Sequence, residues 1–366
     1  MVSRNFIMIT NDELNKGAEN LLLRCAELSS DESVVVIYED QRLGWYNSDV
    51  IETISKFLKK LGINPTLLKV SGPTNSKNVD VIDAVNAHDC AIFFSRIGDQ
   101  DRFEVPVHGK KIIMSYIRDN QMLASPYGRC DYRAFIELKL AINRIMTSAE
   151  RVDISCSRGT SVSALLKKEK IEGSNDVYVR RFPLGVPQPL SASKMSGEVA
   201  LCNYLAPTGS KVYEPATVKI VDMVLAEIRD GVIINLSGDH NCVDKIKKHY
   251  IEIGKEFKIR DDNVHSYHAG IHPGCAYIDN ASDNPDRWAN TIFTNPRVLH
   301  FHTCGDYSPG EICWMVIDPT IKFDNKALWL DGVLRVTDFD ETNQTLQKWP
   351  DLKKLFEHPS SEIGLQ

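Results

Sequence analysis

The sequence predicts an α/β fold in which an N-terminal domain with a doubly wound parallel sheet is followed by a mixed α+β domain. The first third of the chain alternates helical patterns with short apolar runs, as strands buried on both faces do. Beyond about residue 150, strand-like runs follow one another between Gly, Pro and Ser. The 366 residues, 43% of them hydrophobic, exceed what one typical core needs. We therefore expect two domains, an α/β scaffold at 1–180 and the α+β domain at 181–366.

The elements of the first third follow from periodicity. Helices are expected where apolar residues recur at helical spacing, at 11–23, 50–61 and 79–88. Strands are expected at the continuous apolar runs, 34–38, 66–70, 90–94 and 112–116. Gly62 follows the second helix, where glycine commonly closes a helix. A Rossmann cofactor site needs Gly-x-Gly-x-x-Gly after the first strand, but residues 39–42 read EDQR, so this sheet is expected to be a scaffold.

The rest of the chain is expected to be rich in strands. Further helices are predicted at 132–146 and 243–257, and single strands at 151–156, 177–182 and 198–205. Pro183, Pro187 and Pro189 exclude a helix or a central strand over 182–189 and predict a stiff loop. Two hairpins are expected, 218–227 with 231–236 and 314–323 with 327–333.

Charge and composition exclude several functional classes. The 43 Lys and Arg residues against 49 Asp and Glu residues give a net charge of −6, with both signs spread along the chain, so nucleic acid is not an expected partner. No apolar run approaches the roughly 18–20 residues that span a bilayer, and the N-terminus lacks signal-peptide features. We therefore expect a cytoplasmic protein without membrane contact.

Histidines are concentrated in one part of the chain. Five of the ten lie within 38 residues: His265, His268, His272, His300 and His302. The spacing of the last two places both imidazoles on one face of a strand. The first three lie along a segment that begins as a strand and ends in a Gly/Pro loop, where side chains can face a cleft.

Carboxylates follow the last histidines at Asp306, Glu311 and Asp318. Two histidines and one carboxylate, with positions left open, form the arrangement that holds mononuclear iron(II), and similar sets hold zinc or manganese. The alternative interpretation is that these histidines are hydrogen-bonded, half-buried side chains without a ligand.

Other side chains of this region suggest a nucleophile or a pocket. A cysteine beside the histidines, Cys304 or Cys313, is a candidate thiolate–imidazolium pair, although buried cysteine is the commoner state. Tyr267, Tyr307 and Trp314 are candidates to line a substrate pocket, and core packing explains them equally well.

Six short motifs in the second half resemble the superfamily that includes thermophilic-type metallo-aminopeptidases and the 2,5-dihydroxypyridine ring-opening dioxygenase. They are FPLG at 182–185, GVIINLSG at 231–238, AGIHPG at 269–274, HFHTCGD at 300–306, DPTIKFD at 318–324 and WLDG at 329–332. The resemblance covers roughly residues 180–335, while the N-terminal half agrees only in general layout. It implies an α/β domain followed by a mixed α+β domain, a homodimer, and a metal site in the C-terminal half.

The chain departs from this superfamily at the metal ligands. Peptidase relatives carry carboxylates where Val186 and residues 266–268 stand, so a two-metal site would lack bridging ligands. Both branches carry a late His-x-Asp pair where residues 311–313 read EIC. These departures imply a single metal in a rearranged, histidine-rich site, or loss of the metal.

From these observations we expect one divalent metal, iron(II), with zinc or manganese as alternatives. The expected ligands are His268, His302 and Glu311, with His265, His272 and His300 as alternates or as partners that orient the ligands. The expected catalytic residues are His300, which can shuttle a proton, and Glu311, which can act as a base.

Three functions remain open at this point. The first hypothesis is a mononuclear non-heme iron oxygenase that acts on a small or peptide-derived substrate. The second is a metallo-aminopeptidase-like hydrolase, in which a metal-bound water attacks an amide. The third is a metal-free binding protein of a biosynthetic pathway.

Overall fold

The structure, a computed structural model, describes residues 9–74, 78–100, 109–166, 179–207, 213–305 and 311–365. The elements of the first half are α1 (Asn11–Glu19), β1 (Val34–Glu39), α2 (Ser48–Lys60), β2 (Thr66–Val70), α3 (Val79–Ala87), β3 (Cys90–Phe94), β4 (Lys111–Ser115), α4 (Asn120–Ala124), α5 (Pro126–Arg129), α6 (Tyr132–Ser148), β5 (Arg151–Ser155), β6 (Ser161–Leu165) and β7 (Arg180–Phe182). Those of the second half are β8 (Leu190–Ser191), β9 (Ser196–Leu205), β10 (Val218–Arg229), β11 (Val232–Gly238), α7 (His240–Phe257), β12 (Val264–Ala269), α8 (Pro285–Ile292), β13 (Val298–Thr303), β14 (Ile312–Ile317), β15 (Thr320–Phe323), β16 (Lys326–Leu330), β17 (Val333–Leu334), α9 (Asp340–Lys348) and α10 (Pro350–Glu357).

The first of two compact units holds the parallel sheet, in the order β2-β1-β3-β4-β7. Helix α3 packs on one face of this sheet, against Val35, Ile37 and Phe93. Val36 and Ile92 alternate with these residues along the strands and are buried as well, so both faces are covered. This arrangement confirms the predicted doubly wound parallel sheet.

The first predicted helix ends earlier than its pattern suggests. It begins with a capping box, in which the Thr10 hydroxyl accepts a hydrogen bond from the Glu13 amide at 3.2 Å. After Glu19 the chain continues as a π-helical turn, Asn20–Cys25. The Asn20 amide group donates to the carbonyl oxygens of Gly128 and Cys130 at 2.8 and 2.6 Å. These hydrogen bonds connect the first residue of the π-helical turn to residues more than 100 positions away in the sequence.

The second unit contains two antiparallel sheets. The larger has the strand order β11-β10-β9-β6-β5-β15-β16-β17, and the smaller has the order β14-β13-β12-β8. The predicted hairpin of β10 and β11 is present, with Asp230 and Gly231 at positive φ in its turn. The mixed α+β character of this region is therefore confirmed.

One predicted strand was wrong, because residues 314–323 form two strands in different sheets. Asp318 has a φ of 51°, which ends β14 in the smaller sheet and lets the chain enter β15 in the larger one. The Arg297 guanidinium holds this corner through two hydrogen bonds to the Asp318 carboxylate, of 2.6 and 2.8 Å. The hairpin itself joins β15 to β16 through Asp324 and Asn325, both at positive φ.

The units are not divided at a single point in the chain. Residues 134–166 belong to the second unit by their contacts, and residues 179–183 belong to the first. Whether 1–180 and 181–366 fold as separate domains stays a prediction. Among the described helices, none is long and apolar enough to cross a membrane.

Burial of His249 on α7 predicts a pH-dependent stability. Its side chain is buried against Tyr213, and burial lowers its pKa from 6.5 to about 4. Because the unfolded chain binds a proton near pH 6.5 and the folded chain does not, the free energy of unfolding should fall as pH decreases from 6.5 to 4. The expected contribution of this histidine is up to about 3 kcal/mol. Urea unfolding at pH 7.5 and at pH 5 measures it, and His249→Gln should lose less stability between these pH values than the unsubstituted chain.

His240 provides the control for this measurement, since its side chain is 86% exposed. His240→Gln should retain the full pH dependence. If the free energy of unfolding falls equally between pH 7.5 and pH 5 in His249→Gln and in the unsubstituted chain, the prediction is contradicted.

Candidate metal centre

The pairing of β12 with β13 brings three histidines together. His268 lies opposite His300, and Ser266 lies opposite His302, so alternation along the two strands turns His268, His300 and His302 to the same face of the small sheet. The ring centroids are 4.3 Å apart for His268 and His300 and 5.2 Å apart for His268 and His302. All three side chains are buried. The strands therefore place three imidazoles around one point.

The ligand-capable nitrogens of this group converge. One nitrogen from each of His268, His300 and His302 lies within 4.8 Å of the others. The Nε2 atoms of His268 and His302 are 3.2 Å apart. A second set, Asp222, Asp239 and Cys242, has two exposed carboxylates, and one of them caps α7. Of the two sets, only the histidines form a buried group.

Two acceptors fix how the closest imidazoles are oriented. Nδ1 of His268 is 3.1 Å from the Pro187 carbonyl oxygen, which can only accept a hydrogen bond. Nδ1 of His302 is 2.6 Å from Oε1 of Glu311. If both Nδ1 atoms donate, both Nε2 atoms present lone pairs to each other at 3.2 Å. Two facing lone pairs repel unless a cation or a proton lies between them.

The geometry of the two Nε2 atoms fits a metal ion. Two nitrogen ligands held about 2.1 Å from one ion at tetrahedral or octahedral angles lie about 3.0–3.4 Å apart. The observed 3.2 Å lies within this range. Metal-binding histidines almost always donate their other N–H to a carboxylate or a backbone carbonyl, as His268 and His302 are placed to do. The residues present therefore fit a metal ion.

A β-bulge brings a fourth histidine near the group. The register of β12 against β13 shifts between Val264 and Ser266, which leaves His265 as the extra residue. Its Nε2 atom is 3.6 Å from Oε1 of Glu311, and its ring centroid is 5.7 Å from that of His302. The His265 side chain is 14% exposed. It therefore contacts the carboxylate that holds His302.

Two of the expected ligands lie outside the group of three histidines. Glu311 contacts Nδ1 of His302, whereas His268 faces Nε2 of the same ring, so the carboxylate lies outside the group of converging nitrogens. His272 lies elsewhere, with its ring stacked on Phe135 at 3.9 Å and its Nδ1 accepting from the Gly274 amide. The loop after β12 leads it away from the strand face, which corrects its expected place beside the other imidazoles.

The aromatic residues expected around the substrate lie on the other face of the sheet. Tyr267, Phe301 and Trp314 are aligned across β12, β13 and β14, with neighbouring ring centroids 5.8 and 6.2 Å apart. Each alternates with a residue of the histidine face, so Tyr267 and Trp314 do not line the histidine group from this position. Tyr307 lies outside the described residues.

Trp314 does line a cavity, although not one beside the histidines. This cavity, of about 260 Å³, lies between β11 and α7 and includes Tyr250, whose hydroxyl accepts a hydrogen bond from Nε1 of Trp314 at 2.6 Å. Isoleucine side chains form much of its wall. Sequence alone does not show this cavity, because α7 and β14 are far apart in the chain.

Cysteines near the histidines are poorly placed as nucleophiles. Burial raises the pKa of Cys304 to about 12, so this thiol stays protonated at neutral pH. Cys313 is fully buried, with its sulfur 3.7 Å from Nδ1 of His302. Glu311 is closer to the same nitrogen, at 2.6 Å, and competes for its proton.

Glycines of two sequence motifs allow the loop segments near the site to pack closely. A Cβ on Gly270 would lie 2.2 Å from the backbone oxygen of Asn295, and one on Gly185 would lie 2.2 Å from Cβ of Thr294. Gly270 follows β12, and Gly185 lies two residues before Pro187, whose carbonyl holds His268. The motifs FPLG and AGIHPG thus meet at residues 294–295.

Comparisons with known proteins confirm the resemblance at the level of the fold. The chain is similar to the solved structure of 2,5-dihydroxypyridine dioxygenase from Pseudomonas putida KT2440, with a TM-score of 0.62, 13% identity, and coverage of 92% of this chain and 100% of that one. It is also similar to AmpT from Thermus thermophilus, with a TM-score of 0.52, 9% identity, and coverage of 89% and 99%. No protein-family model and no curated protein matches the sequence. The shared fold is the α/β architecture predicted from the sequence.

Glu311→Gln should separate an orienting role from a ligand role. If Glu311 only holds His302, the amide oxygen still accepts the Nδ1 proton, and metal affinity should fall about tenfold, with a larger fall for Glu311→Ala. Competition with a chromophoric chelator measures both. Glu357→Gln, an exposed position on α10, is the control and should bind metal normally. If Glu311→Gln loses metal as completely as a histidine variant, Glu311 is itself a ligand.

Proposed function

We propose that this chain is a mononuclear metal-dependent enzyme, an iron(II) oxygenase that acts on a small or peptide-derived substrate. The observation that supports it most is the pair of Nε2 atoms of His268 and His302, 3.2 Å apart, each on a ring whose Nδ1 faces an acceptor. Such an arrangement fits a shared cation and has little use in packing. His300 is the proposed third ligand.

The side chains around the proposed ion have separable tasks. Phe293 stacks on the His300 ring at 4.2 Å and keeps its orientation. Burial of the three imidazoles excludes bulk water from the centre. Oε1 of Glu311 holds the Nδ1 proton of His302, and Nε2 of His265, 3.6 Å away, is placed to exchange a proton with that carboxylate.

Bound iron(II) would supply a redox-active centre with coordination positions left open for substrate. The oxygenase assignment rests on imidazole being a suitable ligand for iron and on the shared fold with 2,5-dihydroxypyridine dioxygenase. In this proposal the catalytic role expected for His300 becomes that of a ligand, and Glu311 keeps the role of proton carrier.

A zinc hydrolase is the second candidate. Three neutral nitrogen donors without a carboxylate in the group also suit catalytic zinc, whose bound water has a pKa near 7. In that case Glu311 would act as the base, as expected for an aminopeptidase-like hydrolase. The shared fold with AmpT supports this candidate, at a lower TM-score than the dioxygenase.

Metal analysis under anaerobic conditions tests the proposal. The chain purified without oxygen and loaded with iron(II) should hold one ion per chain, and nitric oxide should produce the EPR signal of an iron–nitrosyl centre. Oxygen uptake is then measured with dihydroxylated ring compounds and with short peptides. Release of amino acids from peptides by zinc-loaded protein without oxygen uptake would favour the hydrolase. Failure to retain any divalent metal would leave a metal-free binding protein, and the facing Nε2 atoms would then share a proton.

The homodimer and the cytoplasmic location stay proposals. Light scattering of the purified chain measures the first, and fractionation of cells that express it measures the second.

A further inference from the structure

Polar side chains follow three neighbouring strands of the parallel sheet in the first unit. Strands β1, β3 and β4 are adjacent, and β2 extends the sheet on the other side of β1, so the strand order reverses between β1 and β3. In open α/β sheets, ligands bind in the crevice outside the carboxyl ends of the strands at such a point. Glu39 ends β1, Arg96 follows β3, and Arg118 follows β4. This crevice belongs to the first unit, whereas the histidine group belongs to the second.

Arg118 is a buried cation, and two of its three nitrogens make no hydrogen bond in the part of the chain that the structure describes. The residue is 1% exposed, and its Nε and Nη1 atoms are buried without a hydrogen-bond partner in the described part of the chain. Its guanidinium carbon lies 4.6 Å from the ring centroid of Tyr46, 5.2 Å from that of Trp45 and 5.8 Å from that of Tyr116. The rings stabilise the charge but accept no conventional hydrogen bond from Nε or Nη1. A buried guanidinium with unused donors is costly unless an anion meets it.

The nearby carboxylates are engaged by other groups. Glu39 accepts hydrogen bonds from Nε of Arg96 at 3.1 Å to each of its oxygens. Asp99 accepts from the Tyr116 hydroxyl at 2.9 and 3.0 Å. In the part of the chain that the structure describes, no carboxylate forms an ion pair with Arg118 within 4.0 Å. An external anion would satisfy these donors.

A cavity lies on the neighbouring side of this crevice. It measures about 600 Å³, is lined by residues 40, 42–43 and 69–71, and contains two cations, Arg42 and Lys69, that pair with Asp40. Gly72, which follows the lining residue Ser71, lies close to Arg96, because a Cβ on Gly72 would lie 2.5 Å from Nη2 of Arg96. Arg96 in turn lies over the same Trp45 ring as Arg118, at 4.5 Å. The cavity and the two guanidinium groups thus lie at the same end of the parallel sheet.

We propose that the crevice at the carboxyl ends of β1, β3 and β4 binds a small monocarboxylate through the Arg118 guanidinium. The positive charges of Arg96 and Arg118 already balance the negative charges of Glu39 and Asp99, so one added negative charge is tolerated better than the two of a phosphate. The aromatic wall of Trp45, Tyr46 and Tyr116 suits an apolar body attached to the carboxylate. An aromatic acid should therefore bind more tightly than acetate.

Isothermal titration of the full-length chain with benzoate, acetate and phosphate, each at matched ionic strength in sodium chloride, tests this site. Benzoate should bind saturably and more tightly than acetate, and Arg118→Gln should weaken benzoate binding at least about tenfold. Arg118→Lys keeps the charge without the planar fork and should bind with intermediate affinity. Arg229→Gln, at a position whose side chain is 70% exposed, is the matched control and should bind benzoate normally.

Three outcomes would overturn the proposal. They are the absence of saturable benzoate binding to the unsubstituted chain, unchanged binding in Arg118→Gln, and tighter binding of phosphate than of benzoate. The first is measured on the unsubstituted chain and does not depend on whether a variant folds. None of them depends on metal, so this proposal and the proposed function fail separately.

Discussion

Replacing His302 with alanine is expected to lower the affinity of the chain for iron(II) at least about 100-fold, more than loss of an orienting partner does. His302 presents Nε2 to His268 at 3.2 Å and links the group to Glu311 through Nδ1. The substitution would therefore remove a proposed ligand and leave the carboxylate without its imidazole partner. His268→Ala should have a similar effect, because it removes the other Nε2 atom. Elemental analysis of anaerobically purified protein, followed by competition with a chelator, measures both variants.

Two other histidines serve as controls for this prediction. His240 is 86% exposed, and His240→Ala should retain one metal per chain. His272→Ala should also retain metal, although it should lower stability by removing the ring that stacks on Phe135. If His272→Ala loses the metal and His302→Ala keeps it, the ligand group has been placed wrongly.

Gly270→Ala is expected to lower the free energy of unfolding by about 3 kcal/mol, at the upper end of the usual cost of overpacking. The added Cβ would lie 2.2–2.4 Å from three backbone atoms of residues 294–295, and backbone cannot give way as a side chain end does. Residue 270 directly follows β12, which holds His268, so metal affinity should fall together with stability. Urea unfolding and chelator competition measure the two effects.

Gly62→Ala separates steric overlap from backbone strain. Gly62 has a φ of 84° and nothing within 4 Å of the position of a Cβ, so only the left-handed backbone opposes alanine there, at about 1 kcal/mol. If both glycine variants lower the free energy of unfolding equally, the backbone at 294–295 moves to accommodate the added methyl group. The close approach of the two segments would then not explain the glycine of the AGIHPG motif.

Local periodicity was sufficient for much of the fold. The continuous apolar runs of β1 and β3 predict strands that are buried on both faces, and these runs form the centre of the parallel sheet. The same kind of argument places His300 and His302 on one face of β13. Applied to β12, it also separates Tyr267 from His268, since neighbouring residues of a strand point to opposite faces.

Which residues meet at the candidate site cannot be predicted from neighbouring residues in the sequence alone. His265 contacts Glu311 because a bulge adds one residue to β12, and the bulge exists only relative to the register of β13. The carbonyl oxygen of Pro187 has no sequence signature, since every residue has one. Arg118 resembles any other arginine in the sequence, and the aromatic rings that bury it come from residues 45–46 and 116.

The sequence by itself determined the strands β1 to β4 of the parallel sheet and which side chains of one strand share a face, because both depend on neighbours a few residues away. Only the tertiary structure decided that His268 meets His302 across 34 residues, that Glu311 faces Nδ1 instead of Nε2, and that His272 lies apart. Pairing register and loop paths set those distances. They result from packing of the whole unit, to which each short segment contributes only a small part of the free energy.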